Sequence, residues 1–255
     1  MPIAPTHTIA HAGGDTIDRH QHDDHQLVYV SSGVVAINTE AGAWVAGNDR
    51  ALWIPAHTWH QHRFYGAGNL HTVGFSAAHS PLPVNAPTVI AVEPLLRELL
   101  IALTADGLTE AHARRIRGVM TDRMRQAHHA PFVLPVAHDR RLAHACHLVE
   151  ADLAHPRSMA WLATQTNTSE RVLSRLFRDE FGMTYPQWRT QLRLFSAMVL
   201  LAENHTVTDT ARATGWATTS AFIDTFARTL GATPGEYRGK RSSERRGGSP
   251  GPWAK

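Results

Sequence analysis

The chain has 255 residues, enough for two ordinary domains, and its 43% apolar and 18% charged residues form a globular balance that excludes a largely disordered chain. The single cysteine excludes an internal disulfide. No run approaches the roughly 20 apolar residues of a membrane-spanning helix, and MPIAPTHTIAHAGGD lacks the basic start and apolar run of a signal peptide, so a soluble, cytoplasmic protein away from membranes is expected.

The formal charge of +3 is unevenly spread. Residues 1–138 carry 9 Arg against 11 Asp and Glu, residues 139–255 carry 16 Lys and Arg against 11, and 14 of the 18 histidines precede residue 139. A basic half suits a polyanion partner and an acidic, histidine-rich half does not, so the two halves are expected to do different chemistry.

From Gln26 to Ser76, short runs rich in valine, isoleucine and aromatics (QLVYV, VVAINT, AGAWVAG, RALWIP, LHTVGFS) are separated by turn signals such as Ser31-Ser32-Gly33. This pattern predicts a small antiparallel barrel or sandwich over residues 1–80. Just before and within it, His20 and His22 stand at i, i+2 and point the same way if they lie on a strand, and a neighbouring strand can bring His60 alongside. Three neutral imidazoles on one wall suit a divalent transition metal. His57 and His62 are expected at the rim or surface, and Trp44, Trp53 and Trp59 in the barrel core.

Residues 81–138 are expected to form a crossing segment, helices and a linker, with a dimer contact as one role. Residues 79–94 hold four prolines, counting Pro94, and LLRELLIAL and TEAHARRIRGVMTDRMRQA then read as helices. In the second, Ile116, Val119, Met120 and Met124 predict an apolar stripe, while Arg114, Arg115, Arg117, Arg123 and Arg125 suit a solvated outer face or a dimer contact. HHAPFVLPVA, residues 129–138, is the expected linker. Residues 139–238 read as helical, with Cys146 in the core beside Leu142, Val149 and Leu153, and 239–255 as a disordered basic tail.

The helical half contains a repeat. LATQTNTSERVLSRLFRDEFG matches TARATGWATTSAFIDTFARTLG, pairing Ala163 with Ala211, Asn167 with Gly215, Phe177 with Phe226 and Gly182 with Gly231. A short helix, a turn at a residue that tolerates left-handed backbone, and a second helix make a helix-turn-helix, whose second helix enters a DNA groove. In Thr168–Phe181, Leu173, Leu176 and Phe177 predict a buried stripe, with Arg171, Ser174, Arg175 and Arg178 on another face and Thr168 or Ser169 as cap. Between the copies, Tyr185–Glu203 predicts a connecting helix with Trp188, Leu192, Phe195, Val199 and Ala202 on its apolar stripe. Its length of about 28 Å approaches the roughly 34 Å between successive major grooves.

The continuous stretch from SMAWLATQTNTSERVLSRLFRDEFG to GATPGEYR resembles the double helix-turn-helix domain of the AraC/XylS family of transcription regulators. The resemblance implies an α+β protein of two domains that binds double-stranded promoter DNA, usually as a homodimer, with RNA polymerase as a further partner. It implies that Arg171, Ser174, Arg175 and Arg178 read DNA in the first copy and Thr219, Ser220, Ile223 and Asp224 in the second. Asp224 stands where the family often has a basic residue, so the first copy is expected to dominate affinity, because phosphates repel a carboxylate. The spacing Gly14-x5-His20-x-His22-x3-Gln26-x6-Gly33, followed by Gly47, Pro55 and His60, resembles a cupin, a frequent sensing domain of that family. It implies a site at His20, His22, Gln26 and His60 for a small-molecule or metal effector. Gln26 stands where cupins usually carry a glutamate ligand, and Phe64 near their usual asparagine, which favours metal-free ligand binding over a divalent cofactor. A cupin metalloenzyme, a dioxygenase or isomerase, is the competing reading, and it lacks an obvious general acid or base.

Overall fold

The computed structural model describes residues 5–127 and 133–238. Strands β1 (His7–His11), β2 (Thr16–His20), β3 (His25–Val30), β4 (Val34–Thr39), β5 (Gly42–Ala46), β6 (Arg50–Ile54), β7 (His60–Tyr65), β8 (Gly68–Phe75), β9 (Thr88–Ala91) and β10 (Val133–Leu134) form two five-stranded antiparallel sheets. Their orders are β1-β8-β3-β6-β9 and β10-β5-β4-β7-β2. The architecture is the expected α+β pair of domains, a cupin-like barrel followed by helices.

The apolar runs mark neither β1 nor β9, whose exposed or polar positions break the strand signal, whereas β2 and β7 are the paired strands expected to carry His20 and His60. β9 lies beyond residue 80 and adds an edge strand beside β6. The linker expectation is also corrected. Val133 and Leu134 pair with Trp44 and Ala43, so this part of 129–138 is an edge strand of the barrel. Residues 129–132 and the expected tail 239–255 lie outside the described residues.

The strongest strands are buried on both faces, which explains why their sequences do not alternate. In β3, Val28 and Val30 face the other sheet, whereas Leu27 and Tyr29 face α1 (Pro94–Leu103) and α2 (Glu110–Gln126) through Leu96, Leu100, Met120 and Met124. Val119, expected in the stripe of α2, is instead 47% exposed. Arg117 takes an inward position, donating to the Gly74 carbonyl at 2.8 Å and to Thr6 Oγ1 at 2.9 Å. In β4, Val35 and Ile37 fill the barrel, while Val34 and Ala36 pack against the helical half.

That half comprises α3 (Arg140–Ala151), α4 (Met159–Gln165), α5 (Glu170–Phe181), α6 (Tyr185–Ala202), α7 (Val207–Ala213) and α8 (Thr219–Leu230). Helix α6 divides its apolar surface between two cores. Tyr185, Trp188 and Leu192 join α3, α4 and α5, whereas Leu194, Ala197, Met198 and Leu201 join α7, α8 and the barrel. The buried C-terminal stripe thus passes through Leu194, Met198 and Leu201, and the expected Phe195 and Val199 are only half-buried. Cys146 is buried with Leu142 and Val149, and burial raises its thiol above the ordinary range, which keeps it unreactive. Among the described residues, no helix is long and apolar enough to cross a membrane.

Candidate nucleic-acid interface and effector site

The repeat extends to individual hydrogen bonds. In the first turn Thr166 Oγ1 donates to the Leu162 carbonyl at 2.8 Å and the Thr168 amide to the Ala163 carbonyl at 2.9 Å. In the second, Thr214 Oγ1 donates to the Thr210 carbonyl at 2.6 Å and the Trp216 amide to the Ala211 carbonyl at 2.9 Å. Asn167 and Gly215 both adopt left-handed backbone, with φ of 51° and 73°. Ser169 caps α5 by accepting from the Val172 amide, Thr218 caps α8 by accepting from the Ala221 amide, and both helices end on left-handed glycines, Gly182 and Gly231. These pairings fix the angle at which each second helix leaves its turn.

The α5 face carries Arg171, Arg175 and Arg178 exposed, with Ser174 half-buried between them. Among the described residues, the ionic contact on that row is a 3.9 Å approach of Arg175 to Asp179, both well exposed, which costs a DNA ligand little to break. On α8, Ser220 and Asp224 are exposed, and Thr219 and Ile223 are half-buried. Helix α6 joins the two with 18 residues, about 27 Å at 1.5 Å per residue. Not every arginine of the basic half faces outward. Arg193 stacks 3.7 Å from the Trp216 ring centroid and donates to the Thr214 carbonyl at 2.6 Å, tying α6 to the second turn.

In the barrel, β2 and β7 pair with His20 opposite His60, and alternation along β7 puts His62 on the same inner face as His60. His20, His60 and His62 each offer a ring nitrogen within 4.8 Å of the others. Sequence reasoning placed His62 at the surface, but it is 2% exposed. The i, i+2 spacing in HQHRFY was the available signal. His22 follows the end of β2 and lies beside this trio, its ring centroid 4.9 Å from that of His20, while the Gln26 amide stands 3.4 Å from His22 Nε2. Trp59, expected in the core, is 38% exposed and lies under the Arg19 guanidinium at 5.1 Å. His57 is exposed, as expected of a surface residue.

His20 Nδ1 lies 2.6 Å from the Asp18 carbonyl and His60 Nδ1 lies 2.8 Å from the Thr58 carbonyl. Donation there fixes the tautomer and leaves each Nε2 with a lone pair. Burial lowers His60 to about 4 and His62 well below the ordinary histidine range, so both are neutral at pH 7. Two neutral imidazoles and a third neighbour can coordinate a borderline cation or accept from an organic ligand.

A helix-turn-helix domain family matches residues 162–240 and a cupin domain family matches residues 7–73. The chain is 29% identical over 232 residues to the HTH-type transcriptional regulator NimR of Escherichia coli K12, covering 89% of this chain and 85% of that protein. It is 33% identical over 89 residues to the HTH-type transcriptional activator RhaR of Klebsiella pneumoniae, covering 34% of this chain and 32% of that protein, so this match spans about a third of the relative. The solved structure of ToxT from Vibrio cholerae O395 covers 93% of this chain and 98% of its own, at 12% identity and a TM-score of 0.42.

Proposed function

We propose that this chain is a transcription regulator of the AraC/XylS family, which binds promoter DNA with α5 and α8 in successive major grooves while the barrel senses an effector. The observation that carries the DNA part is the duplicated turn, with two capped helices joined through α6, itself about 27 Å long at 1.5 Å per residue. Arg171 and Arg175 supply the main contacts to phosphate or guanine, and α8 adjusts which site is chosen. The protein acts in the cytoplasm, on the chromosome, as a homodimer that engages RNA polymerase.

Effector binding reaches the readers through the packing of β4 and β5 on α6. Val34, Ala36 and Val45 share one core with Leu194, Met198 and Leu201, and Tyr237 closes on Gly47. An effector with different affinities for two placements of this joint shifts their populations. The barrel is read as a sensor because it shares one apolar core with the DNA-binding half.

The test is a band-shift assay with an operator selected from random duplexes by the full-length protein. Arg171→Ala with Arg175→Ala is expected to weaken binding by at least about tenfold and to reduce its salt dependence by about two phosphate contacts. Undiminished affinity with an unchanged salt slope rules out α5 as the main reader.

A further inference from the structure

We propose that the cleft between the edge of the barrel and helices α3 and α6 is a binding site for an organic cation, a positively charged group carried on an aromatic or aliphatic body. The inference goes beyond the function proposed above, and it depends neither on what the barrel holds nor on which residues read DNA. Two hollows make up the cleft, of about 480 Å³ and about 530 Å³, and Glu150, Phe195 and Ser196 line both. Each is large enough to enclose much of a small organic molecule. Ala43 of β5, with Leu134 and Val136 at and just beyond β10, gives the first hollow its barrel side, and Tyr65 at the end of β7 does the same for the second.

Apolar walls and one uncompensated charge point to this class of ligand. Phe195 and Val199 stand one turn apart on α6, and both are only half-buried and line the cleft. Trp188 lines the first hollow with them, and so does Val136, a large apolar residue that is 46% exposed. No Lys, Arg or His lines either hollow, and the charged residues that do are Glu150 and Asp152. Asp152 is already paired, with Arg157 at 2.6 Å and with His155 at 2.8 Å. The Glu150 carboxylate has neither an ion pair nor a hydrogen bond among the described residues. Burial raises it above the ordinary carboxylate range, with His147 drawing it the other way. A cation meets such a carboxylate and the neighbouring ring faces together. An anion is repelled, and a neutral apolar body takes water from the carboxylate and gives it no partner. Ser196 adds a hydroxyl whose oxygen can accept from an ammonium group.

The experiment is equilibrium dialysis of the full-length protein against tetraphenylphosphonium and tetraphenylborate, two ions of one shape and opposite charge. One saturable equivalent of the phosphonium is expected, bound at least about tenfold more tightly than the borate. Glu150→Gln, at an exposed helix position, is expected to remove most of that preference. Val136→Lys, which places a cation on the barrel side of the cleft, is expected to reverse it, whereas Asp106→Asn, an exposed carboxylate outside the cleft, leaves it unchanged. No saturable binding of the phosphonium by the wild type, or equal binding of the borate, overturns the proposal, and that result does not depend on how well any variant folds. A preference untouched by Glu150→Gln overturns it too. Phosphonium binding that appears only once residues 239–255 are removed assigns the cleft to that basic segment, and so overturns it as well. Operator binding retained by a protein that takes no phosphonium overturns this inference alone and leaves the proposed function standing.

Discussion

The two helix-turn-helix copies share a backbone and differ in what surrounds them. In the first, Phe177 packs against Phe181, Tyr185 and Trp188, within a core built from α3 to α6 that meets the barrel through Leu134 of β10. In the second, Tyr237 stands where the first has Trp188, four residues after a capping threonine (Thr233, against Thr184), and packs on Phe226. Its core continues into the barrel through Val34, Ala36 and Val45. The reading faces diverge in step, since the first offers three exposed arginines and the second offers Ser220 and Asp224. On the proposed function, the first copy grips DNA, and the second, which shares its core with β4 and β5, feels the state of the barrel.

Breaking this comparison begins at the turns. Gly215 has φ of 73°, and a Cβ there would sit 2.5 Å from the Leu153 carbonyl oxygen and 2.7 Å from that of Ala154. Gly215→Ala is expected to cost about 2–5 kcal/mol from left-handed strain and overpacking. Asn167→Ala, at an exposed position, should cost about 1 kcal/mol. Equal losses in urea titrations would show that the second turn is no more constrained than the first.

Acid should act on the barrel side. His71 is 4% exposed, bonded through Nδ1 to Thr104 Oγ1 at 2.7 Å and through Nε2 to Ser31 Oγ at 2.9 Å, and burial lowers it to about 4, with Arg97 adding to the effect. Because the folded value lies below the unfolded 6.5, the unfolded chain takes the proton first. Stability falls as pH drops below 6.5 and the loss is complete near 4, at about 3 kcal/mol. His22, His25, His60 and His62 are lowered too, so the measurement is the difference in slope between wild type and His71→Gln. An identical slope removes His71 from the account.

The joint between barrel and second copy is sharpened at Gly47, where a Cβ would collide with the Tyr237 ring and hydroxyl. Gly47→Ala should displace Tyr237 at a cost of about 1–3 kcal/mol and split thermal unfolding into two transitions, one for each half. A single, unshifted transition would mean that the joint carries no coupling. The smallest effect is expected at Asp224. Asp224→Ala should change stability by less than about 0.5 kcal/mol and tighten DNA binding a few-fold while relaxing site choice, because it removes a carboxylate beside phosphates. Weaker binding instead would make Asp224 a base contact and the second copy a full reader.

The helical repeat was readable because its evidence is local. Phe177 and Phe226, Asn167 and Gly215, and the two C-terminal glycines are fixed by i, i+3 and i, i+4 geometry and by backbone sign, which a linear pattern preserves. The doubly buried strands β3 and β4 were visible for a similar reason, since burial on both faces leaves continuous apolar runs. His62, Trp59 and Val119 were misplaced because their exposure depends on partners distant in the chain: β2 beside His62, Arg19 over Trp59, and the fit of α2 on the first sheet. Val133 and Leu134 read as linker, since a two-residue strand has no period to detect and takes its form from the edge of β5. Composition and spacing therefore settled the helices and the apolar strands, and what kind of partner each half suits. The meeting of three imidazoles and the joining of barrel to second copy came only from tertiary packing, because each depends on cross-strand register and on which faces the fold covers.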